Sequence, residues 1–232
     1  TYSYSQCIGD LAVSGGAAWQ NTGRPQLVRN TGGGTSACCS MHRTAAGARI
    51  EGHAFELALE PRDTAGALPS RNGAREYLAD ECVEGAYSRT RFAAVPLLGR
   101  TLAFSVDLSS ADCGCNAAFY LTSMRQNSDA GLCDGDFYCD AANVCGVRCV
   151  ELDLMEANRR AFHSVLHTAW DQKVTAGLGG GAWGLANDGS YGPHDGAVID
   201  TRSPFRVHAH FETVGGGGGG EPMLSALVMT LT

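Results

Sequence analysis

The chain has little positive charge and no apolar run long enough to span a bilayer, which takes about 20 residues as a helix. Its 17 lysines and arginines face 24 aspartates and glutamates, so the formal net charge is -7. This deficit of cationic residues disfavours nucleic acid and membranes as partners, whereas a neutral polymer such as a polysaccharide is compatible with it. Because neither an initiator methionine nor an apolar leader precedes Thr1, we expect a processed, secreted form.

The sequence also lacks the spacings that zinc ligands adopt. Ten cysteines are present without any Cys-x2-Cys pair, and no histidine cluster accompanies them. Such cysteines predict a disulfide framework in an oxidising, extracellular compartment. His163 and His167 have the i, i+4 spacing of a helical metal pair, but we expect a strand there, on which this spacing only places both on one face. No metal site is predicted.

Short apolar runs separated by many of the 31 glycines predict strands and turns, and therefore an all-β fold. Residues 54–59, 102–108 and 205–211 alternate apolar with polar or small residues, as half-buried strands do. Residues 117–124 and Met223–Leu231 are more continuously apolar and predict central strands buried on both faces, with a helix as the alternative.

The length and the hydrophobic content favour one domain. A chain of 232 residues with 44% hydrophobic residues can build one sizeable core, so we expect residues 1–232 to form a single β-sandwich domain. Residues 215–220 are six consecutive glycines, which predict a mobile or poorly defined loop.

One segment, residues 149–158 (CVELDLMEAN), concentrates acidic residues. On a strand, Glu151 and Asp153 share one face while the aliphatic residues between them bury the other. Glu156 is five residues beyond Glu151, so strict alternation turns it away from that face unless one extra residue near Met155 forms a bulge. We therefore predict a bulge.

With that bulge, the Cα atoms of Glu151 and Glu156 lie roughly 13 Å apart, and side chains leaning together leave about 5 Å between the carboxyl groups. A retaining glycosidase needs a nucleophile about 5 to 5.5 Å from its acid/base. Mutual repulsion raises the pKa of at least one of three clustered acids, and Asp153 can share a proton with Glu151. The alternative for such an acidic triplet is a solvated outer face.

With its flanks, this segment resembles glycoside hydrolase family 7, the cellobiohydrolase and endoglucanase family, whose signature reads like CxEMDIWEAN or CNEMDILEGN. The similarity extends to residues 97–124, to residues 137–145 (FYCDAANVC, like YCDSQC) and to residues 191–213. Residues 37–59 also parallel the N-terminal part of the family. The resemblance implies a concanavalin-like β-jelly-roll sandwich of two antiparallel sheets with a concave substrate cleft.

The resemblance also implies roles for individual residues. Glu151 matches the nucleophile, Asp153 its helper, Glu156 the general acid/base and His167 an active-site histidine. Three further positions match residues of the substrate cleft: Asn116, Tyr120 and Asp140. The implied reaction is cleavage of β-1,4-glucan with retention, without metal or organic cofactor.

Some aromatic and histidine residues have two interpretations. Trp170 is a candidate for stacking on a sugar ring, as are Trp19 and Trp183, although tryptophan is as often a core residue. His208 and His210 alternate with apolar residues, so we expect them on the polar face of one strand, toward either the cleft or solvent.

Departures from the family pattern adjust these expectations. The connection from Cys139 to Cys149 is much shorter than the corresponding family loop, which favours an open groove and endo-type cleavage. We expect a disulfide between these two cysteines. Cys113 matches a family cysteine whose partner strand has no counterpart here, so its partner is open between Cys82 and Cys115.

Three functional hypotheses follow. The first is a retaining endo-β-1,4-glucanase acting on a polysaccharide. The second is a catalytically weak or inactive relative that binds glucan or has a structural role outside the cell. The third keeps the chemistry but cleaves β-1,3 or mixed-linkage glucan. The sequence predicts no oligomeric state.

Overall fold

The fold was analysed in a computed structural model. It describes residues 5–13, 26–30, 36–39, 48–51, 54–58, 77–79, 88–112, 115–132, 137–168, 182–183, 189–216 and 220–232. Among these residues, no helix is long and apolar enough to cross a membrane.

The described residues form strands and a single 3-10 turn, Arg89–Arg91. The strands are β1 (Ser5–Val13), β2 (Gln26–Asn30), β3 (Ser36–Cys39), β4 (Ala48–Glu51), β5 (Ala54–Ala58), β6 (Tyr77–Ala79), β7 (Thr101–Asp107), β8 (Ala117–Thr122), β9 (Glu151–Asn158), β10 (Ala161–His167), β11 (Ala182–Trp183), β12 (Tyr191–Gly192), β13 (Ile199–Asp200), β14 (Phe205–Val214) and β15 (Met223–Leu231).

Two antiparallel sheets dominate the molecule. One has six strands in the order β15-β14-β7-β1-β5-β4, and the other has four in the order β11-β10-β9-β8. A three-stranded antiparallel sheet, β3-β2-β6, and a short parallel pair, β12-β13, complete the described strands. The all-β antiparallel architecture expected of a jelly-roll sandwich is therefore confirmed.

The main core lies between the two large sheets. Alternate residues of β7 and β14 are buried, such as Phe104 and Val207, and β9 and β10 contribute Leu154 and Phe162 from the other sheet. Ring contacts join the sheets, with centroids 5.0 Å apart for Phe104 and Phe119. Burial of these side chains provides the main stabilisation, and it leaves the opposite face of each sheet for polar residues.

The alternating segments form the strands that their pattern predicts. β5, β7 and β14 cover residues 54–59, 102–108 and 205–211 to within a few residues. On β14, residues 205, 207, 209 and 211 are buried, whereas His208 and His210 are half-buried on the face opposite the core. His210 Nδ1 lies 2.9 Å from the Thr101 hydroxyl oxygen, so this ring nitrogen has a hydrogen-bond partner.

The two continuously apolar segments are strands, but the prediction that they are central and buried on both faces is wrong. β8 and β15 each lie at one edge of their sheet as described. Only one face of each packs on the core, and Met223 and Val228 of β15 are 64% and 43% exposed. Strand order follows from long-range pairing, which the apolar content of one segment does not encode.

Several expectations lie outside the described residues. These include Trp19, Trp170, Cys82, Cys113 and the middle of the glycine run at 217–219. The interpretation of residues 1–232 as a single domain stays a prediction.

Candidate active site

The acidic segment forms β9, and its ladder is irregular on both sides. Toward β8, Phe119 pairs with Met155 and the next residue, Tyr120, pairs with Asp153. Toward β10, His163 pairs with Glu156 and Val165 pairs with Asp153, so two residues along β10 correspond to three along β9. β9 therefore carries one extra residue between Asp153 and Glu156, which is a β-bulge. The bulge predicted near Met155 is confirmed.

The bulge explains how Glu156 reaches the same face as the other acids. Leu154 and Met155 are consecutive, yet both are fully buried in the core. Strict alternation would send one of them outward, so the extra residue restores the phase of the strand and turns Glu156 away from the core. The Ser164 hydroxyl donates a 2.8 Å hydrogen bond to the carbonyl of Asp153, where the ladder between β9 and β10 is irregular.

Cross-strand pairing assembles a polar patch on the outer face of the four-stranded sheet. Glu151 pairs with His167, and Glu156 pairs with His163. Tyr120 pairs with Asp153 from the other side. Directly opposed residues have Cβ atoms about 4.5 to 5.5 Å apart, so three acids on β9 lie between a tyrosine on β8 and two histidines on β10. We name this outer-face patch the acid row.

Glu151 is the buried end of the acid row, with 6% exposure. The Tyr138 hydroxyl donates to its Oε1 at 3.3 Å, and the Ala141 N–H donates to its Oε2 at 3.2 Å. Burial raises the pKa of Glu151 above its ordinary value and the charge of Asp140 adds to the rise, while these two donors and His167 oppose it. Both carboxyl oxygens are therefore fixed in position.

Asp153 occupies the middle of the acid row and is 4% exposed. Burial, followed by the charges of Glu151 and Glu156, raises the pKa of Asp153 to about 7, although His167 opposes the rise. Its Oδ2 lies 3.3 Å from His167 Nε2, and its buried Oδ1 has no hydrogen-bond partner among the described residues. This environment favours a shared proton in the middle of the row near neutral pH.

Glu156 is the more open end, with 31% of its side chain exposed. Its Oε1 accepts hydrogen bonds from Asn116 Nδ2 at 3.0 Å and from the Tyr120 hydroxyl at 2.8 Å. Burial and the neighbouring Glu156 raise the pKa of Tyr120, so this hydroxyl stays neutral and can donate. His163 Nδ1 lies 3.6 Å from the other oxygen, Oε2.

The loop after Phe137 supports Glu151 from the side. A disulfide joins Cys139 to Cys149 with Cα atoms 5.5 Å apart, as predicted, and Cys145 is also disulfide-bonded. The Tyr138 ring packs in a small second cluster with Tyr77, stacked at 6.4 Å. This loop therefore holds the two donors to Glu151 on a braced segment.

Asp140, predicted at the cleft, belongs to the same loop and is 3% exposed. Its Oδ1 accepts the Val144 N–H at 2.9 Å, and its backbone bridges to Arg148. In this position it shapes the loop and adds negative charge near Glu151.

Six of the predicted site residues are brought together: Glu151, Asp153, Glu156, His167, Asn116 and Tyr120. Asp140 is buried in the loop that holds Glu151, and Trp170 lies outside the described residues. Sequence reasoning missed Tyr138 and the Ala141 N–H, whose contacts depend on loop packing, and it assigned His163 no role. The cross-strand position of His163 could have been found by extending the bulged register of β9 onto β10. Among described residues, no group of three possible metal ligands is present.

Comparisons with known proteins point to one family of glycoside hydrolases. The profile of glycosyl hydrolase family 7 matches residues 38–145. Endoglucanase EG-1 from Hypocrea jecorina is 33% identical over 178 residues, or 64% of this chain and 36% of that protein. Endo-beta-1,4-glucanase celB from Emericella nidulans is 30% identical over 211 residues, or 71% of this chain and 48% of that protein. The chain thus spans about a third to a half of these relatives.

Solved structures support the fold. A GH7 family cellobiohydrolase from Daphnia pulex superposes with a TM-score of 0.59 at 21% identity, over 84% of this chain and 56% of that one. The Humicola insolens endocellulase EGI gives 0.58 at 18% identity, over 98% of this chain and 70% of that one. The sequence matches identify the relationship, and the solved structures agree in fold: the chain belongs to glycosyl hydrolase family 7.

Proposed function

We propose that this chain is a secreted, retaining endo-β-1,4-glucanase with Glu151 as nucleophile and Glu156 as general acid/base. The observation that carries the proposal is the bulge in β9, which brings both glutamates to the outer face of one sheet. Their surroundings suit different roles, because Glu151 is buried and fixed by two donors whereas Glu156 is partly open to solvent.

The reaction follows double displacement. Glu156 gives its proton to the glycosidic oxygen while a Glu151 oxygen attacks the anomeric carbon, and the sugar becomes covalently bound to Glu151. Glu156, now a carboxylate, takes a proton from water, which attacks the anomeric carbon and releases Glu151. Tyr138 and the Ala141 N–H hold the nucleophile at a constant angle through both steps.

Asp153 and His167 complete the charge balance of the row. A proton held near Asp153 removes one negative charge from between the two glutamates, so Glu151 can ionise and attack. His167 lies against Asp153 at 3.3 Å and orients it. We assign Asn116, Tyr120 and Trp170 to substrate binding, whereas Asp140, which is buried and accepts the Val144 N–H, shapes the loop beside Glu151.

The substrate class and the cleavage mode have separate support. The relatives named endoglucanase and endo-beta-1,4-glucanase support a β-1,4-glucan. The short, disulfide-closed connection from Cys139 to Cys149 supports an open groove, and therefore internal cleavage of the chain. The disulfides support an extracellular location because they persist in oxidising compartments.

The test is hydrolysis of three soluble or suspended glucans by the full chain: carboxymethylcellulose, lichenan and laminarin. We expect new reducing ends from carboxymethylcellulose, a fall in viscosity that precedes most reducing-end release, and a β-anomer as the first product by NMR. The Glu151→Gln variant should release none. An α-anomer first would contradict retention, and turnover of laminarin alone would contradict the linkage. Binding of glucan without hydrolysis would favour the structural role.

A further inference from the structure

The two oxygens of Glu156 have different surroundings. Oε1 accepts two hydrogen bonds, from Asn116 and Tyr120. Oε2 lies 3.6 Å from His163 Nδ1, which is ion-pair range but longer than a good hydrogen bond. The side chains of Glu156 and His163 are 31% and 39% exposed, so solvent and substrate can reach this pair.

These contacts favour one of the two oxygens as the carrier of the catalytic proton. An amide NH2 group can only donate, and an unprotonated carboxyl oxygen accepts such a bond better than a hydroxyl oxygen does, so Asn116 favours Oε1 as the oxygen without the proton. The Tyr120 hydroxyl donates to the same oxygen. When Glu156 is protonated, the proton therefore resides mainly on Oε2, the oxygen that faces His163.

We propose that His163 is a positioning residue for the acid/base glutamate, and that the charge on its ring shifts the pH range in which both half-reactions run. The inference rests on the proposed function and concerns the pH dependence of that reaction. A protonated ring beside Oε2 stabilises the carboxylate form of Glu156. That form is needed for attack by water and is unable to protonate the leaving group.

Among the described residues that contact Glu156, His163 is the one that can carry a positive charge. On β8, Asn116 carries no charge and Tyr120 is a neutral donor. On β9, Asp153 is coupled to Glu156, whose charge raises the pKa of Asp153 to about 7, but Asp153 can contribute only negative charge. On β10, His167 is paired with that Asp153 rather than with Glu156. Histidine is the side chain that ordinarily changes charge between pH 5 and 8, and His163 Nδ1 is the ring nitrogen nearest to Oε2.

The size of the effect is modest because the pair is partly exposed. Exposed ion pairs change an equilibrium by up to about fivefold, which is at most about 0.7 pH unit, so a shift of about half a unit is expected. Removing the ring charge should therefore move the pH profile without abolishing turnover.

The kinetic test compares His163→Ala and His163→Gln with the unchanged chain on an aryl β-cellobioside. In both variants we expect the basic limb of kcat/KM and the acidic limb of kcat to move to higher pH by about half a unit. Glutamine keeps a donor but has no charge, so a wild-type profile in His163→Gln would overturn the role of charge. Superimposable profiles for His163→Ala and the unchanged chain would overturn the proposal altogether. His208→Ala, on the outer face of the other large sheet, is the matched control and should keep the wild-type profile.

A second measurement does not depend on turnover. The His163 ring signal is followed by NMR during a pH titration in the unchanged chain and in Glu156→Gln. We expect its midpoint to fall by about half a unit in the variant because the paired carboxylate is lost, and an unchanged midpoint would overturn the proposal. If the chain hydrolyses no glucan, the proposed function fails, while this titration still decides whether the pair is coupled.

Discussion

The two ends of the acid row differ in how the protein holds them. Glu151 is 6% exposed and both of its oxygens accept hydrogen bonds from one braced loop. Glu156 is 31% exposed; two neutral donors hold one oxygen, and the other faces a titratable ring. The Glu151 end is buried and held by hydrogen bonds, and the Glu156 end is partly exposed to solvent.

This difference matches what the two halves of a retaining reaction require. A nucleophile forms and breaks one bond at a fixed angle, so it benefits from immobilisation. An acid/base must give up a proton in one step and regain it in the next, so it needs an exposed oxygen. A single extra residue in β9 separates the two environments while keeping both carboxyl groups on one face.

The largest expected effect comes from removing the acid/base. In Glu156→Ala, hydrolysis of unactivated glucan should fall by about 10²- to 10⁴-fold, since a positioned general acid contributes that much. Formation of the covalent intermediate from a 2,4-dinitrophenyl cellobioside should change little because this leaving group needs no proton. Rapid-mixing measurement of phenol release distinguishes the two. Equal losses on both substrates would contradict the assignment of Glu156.

The second comparison removes one tyrosine hydroxyl at each end. Tyr138→Phe takes a donor from Glu151 and should lower kcat/KM by tenfold or more, for activated and unactivated substrates alike, since a hydrogen bond to a charged group is worth about 1.5 to 3 kcal/mol. Tyr120→Phe should lower kcat/KM mainly for unactivated substrates.

Tyr191→Phe is the control for these two variants. Its hydroxyl donates to the Asn158 carbonyl and contacts none of the three acids, so its kinetics should be unchanged. A Tyr138→Phe variant as active as this control would show that Glu151 does not need its donor.

A third prediction concerns stability and pH. In the folded chain the pKa of Asp153 is raised to about 7, so the folded state keeps a proton that the unfolded chain has lost above about pH 4. The free energy of unfolding therefore decreases as pH rises from about 4 to 7. Asp153→Asn removes this loss and should be more stable than the unchanged chain by roughly 2 to 4 kcal/mol at pH 8. The gain should vanish below pH 4.

Urea unfolding at pH 4 and pH 8 checks this sign. A gain in stability that is equal at both pH values would contradict the raised pKa, and a gain confined to pH 4 would reverse the argument. The Asp153→Asn variant keeps His167, whose Nε2 lies 3.3 Å from Asp153 Oδ2 in the unchanged chain.

The smallest expected effect is at the bulge itself. Ser164→Ala removes the donor to the Asp153 carbonyl and should lower the free energy of unfolding by about 1 kcal/mol. The matched control is Ser203→Ala at an exposed turn, which should change stability little. If the two variants are equally stable, the bulge does not depend on this hydrogen bond.

The sequence was informative wherever a local pattern determines the structure. Alternation located β7 and β14, and the odd spacing of Glu151 and Glu156 was enough to predict the bulge, because face and phase are local properties of a strand. Motif similarity supplied His167, Asn116 and Tyr120 as candidates for the same patch.

Long-range properties of the fold could not be predicted from the sequence. β8 and β15 are as apolar as central strands, yet they lie at sheet edges because pairing across distant segments sets the order. The contact of Tyr138 with Glu151 depends on how the disulfide-bonded loop folds over β9. The pairing of His163 with Glu156 could be found only from the register that the bulge sets between β9 and β10.

The most direct test of the account is covalent trapping with a 2-deoxy-2-fluoro cellobioside that carries a good leaving group. We predict a mass increase of one fluorocellobiosyl unit per chain, located by peptide sequencing on Glu151 and absent in Glu151→Gln. Labelling of Glu156 or Asp153 instead, or full turnover in Glu151→Gln, would contradict the claim that the buried end of the acid row is the nucleophile.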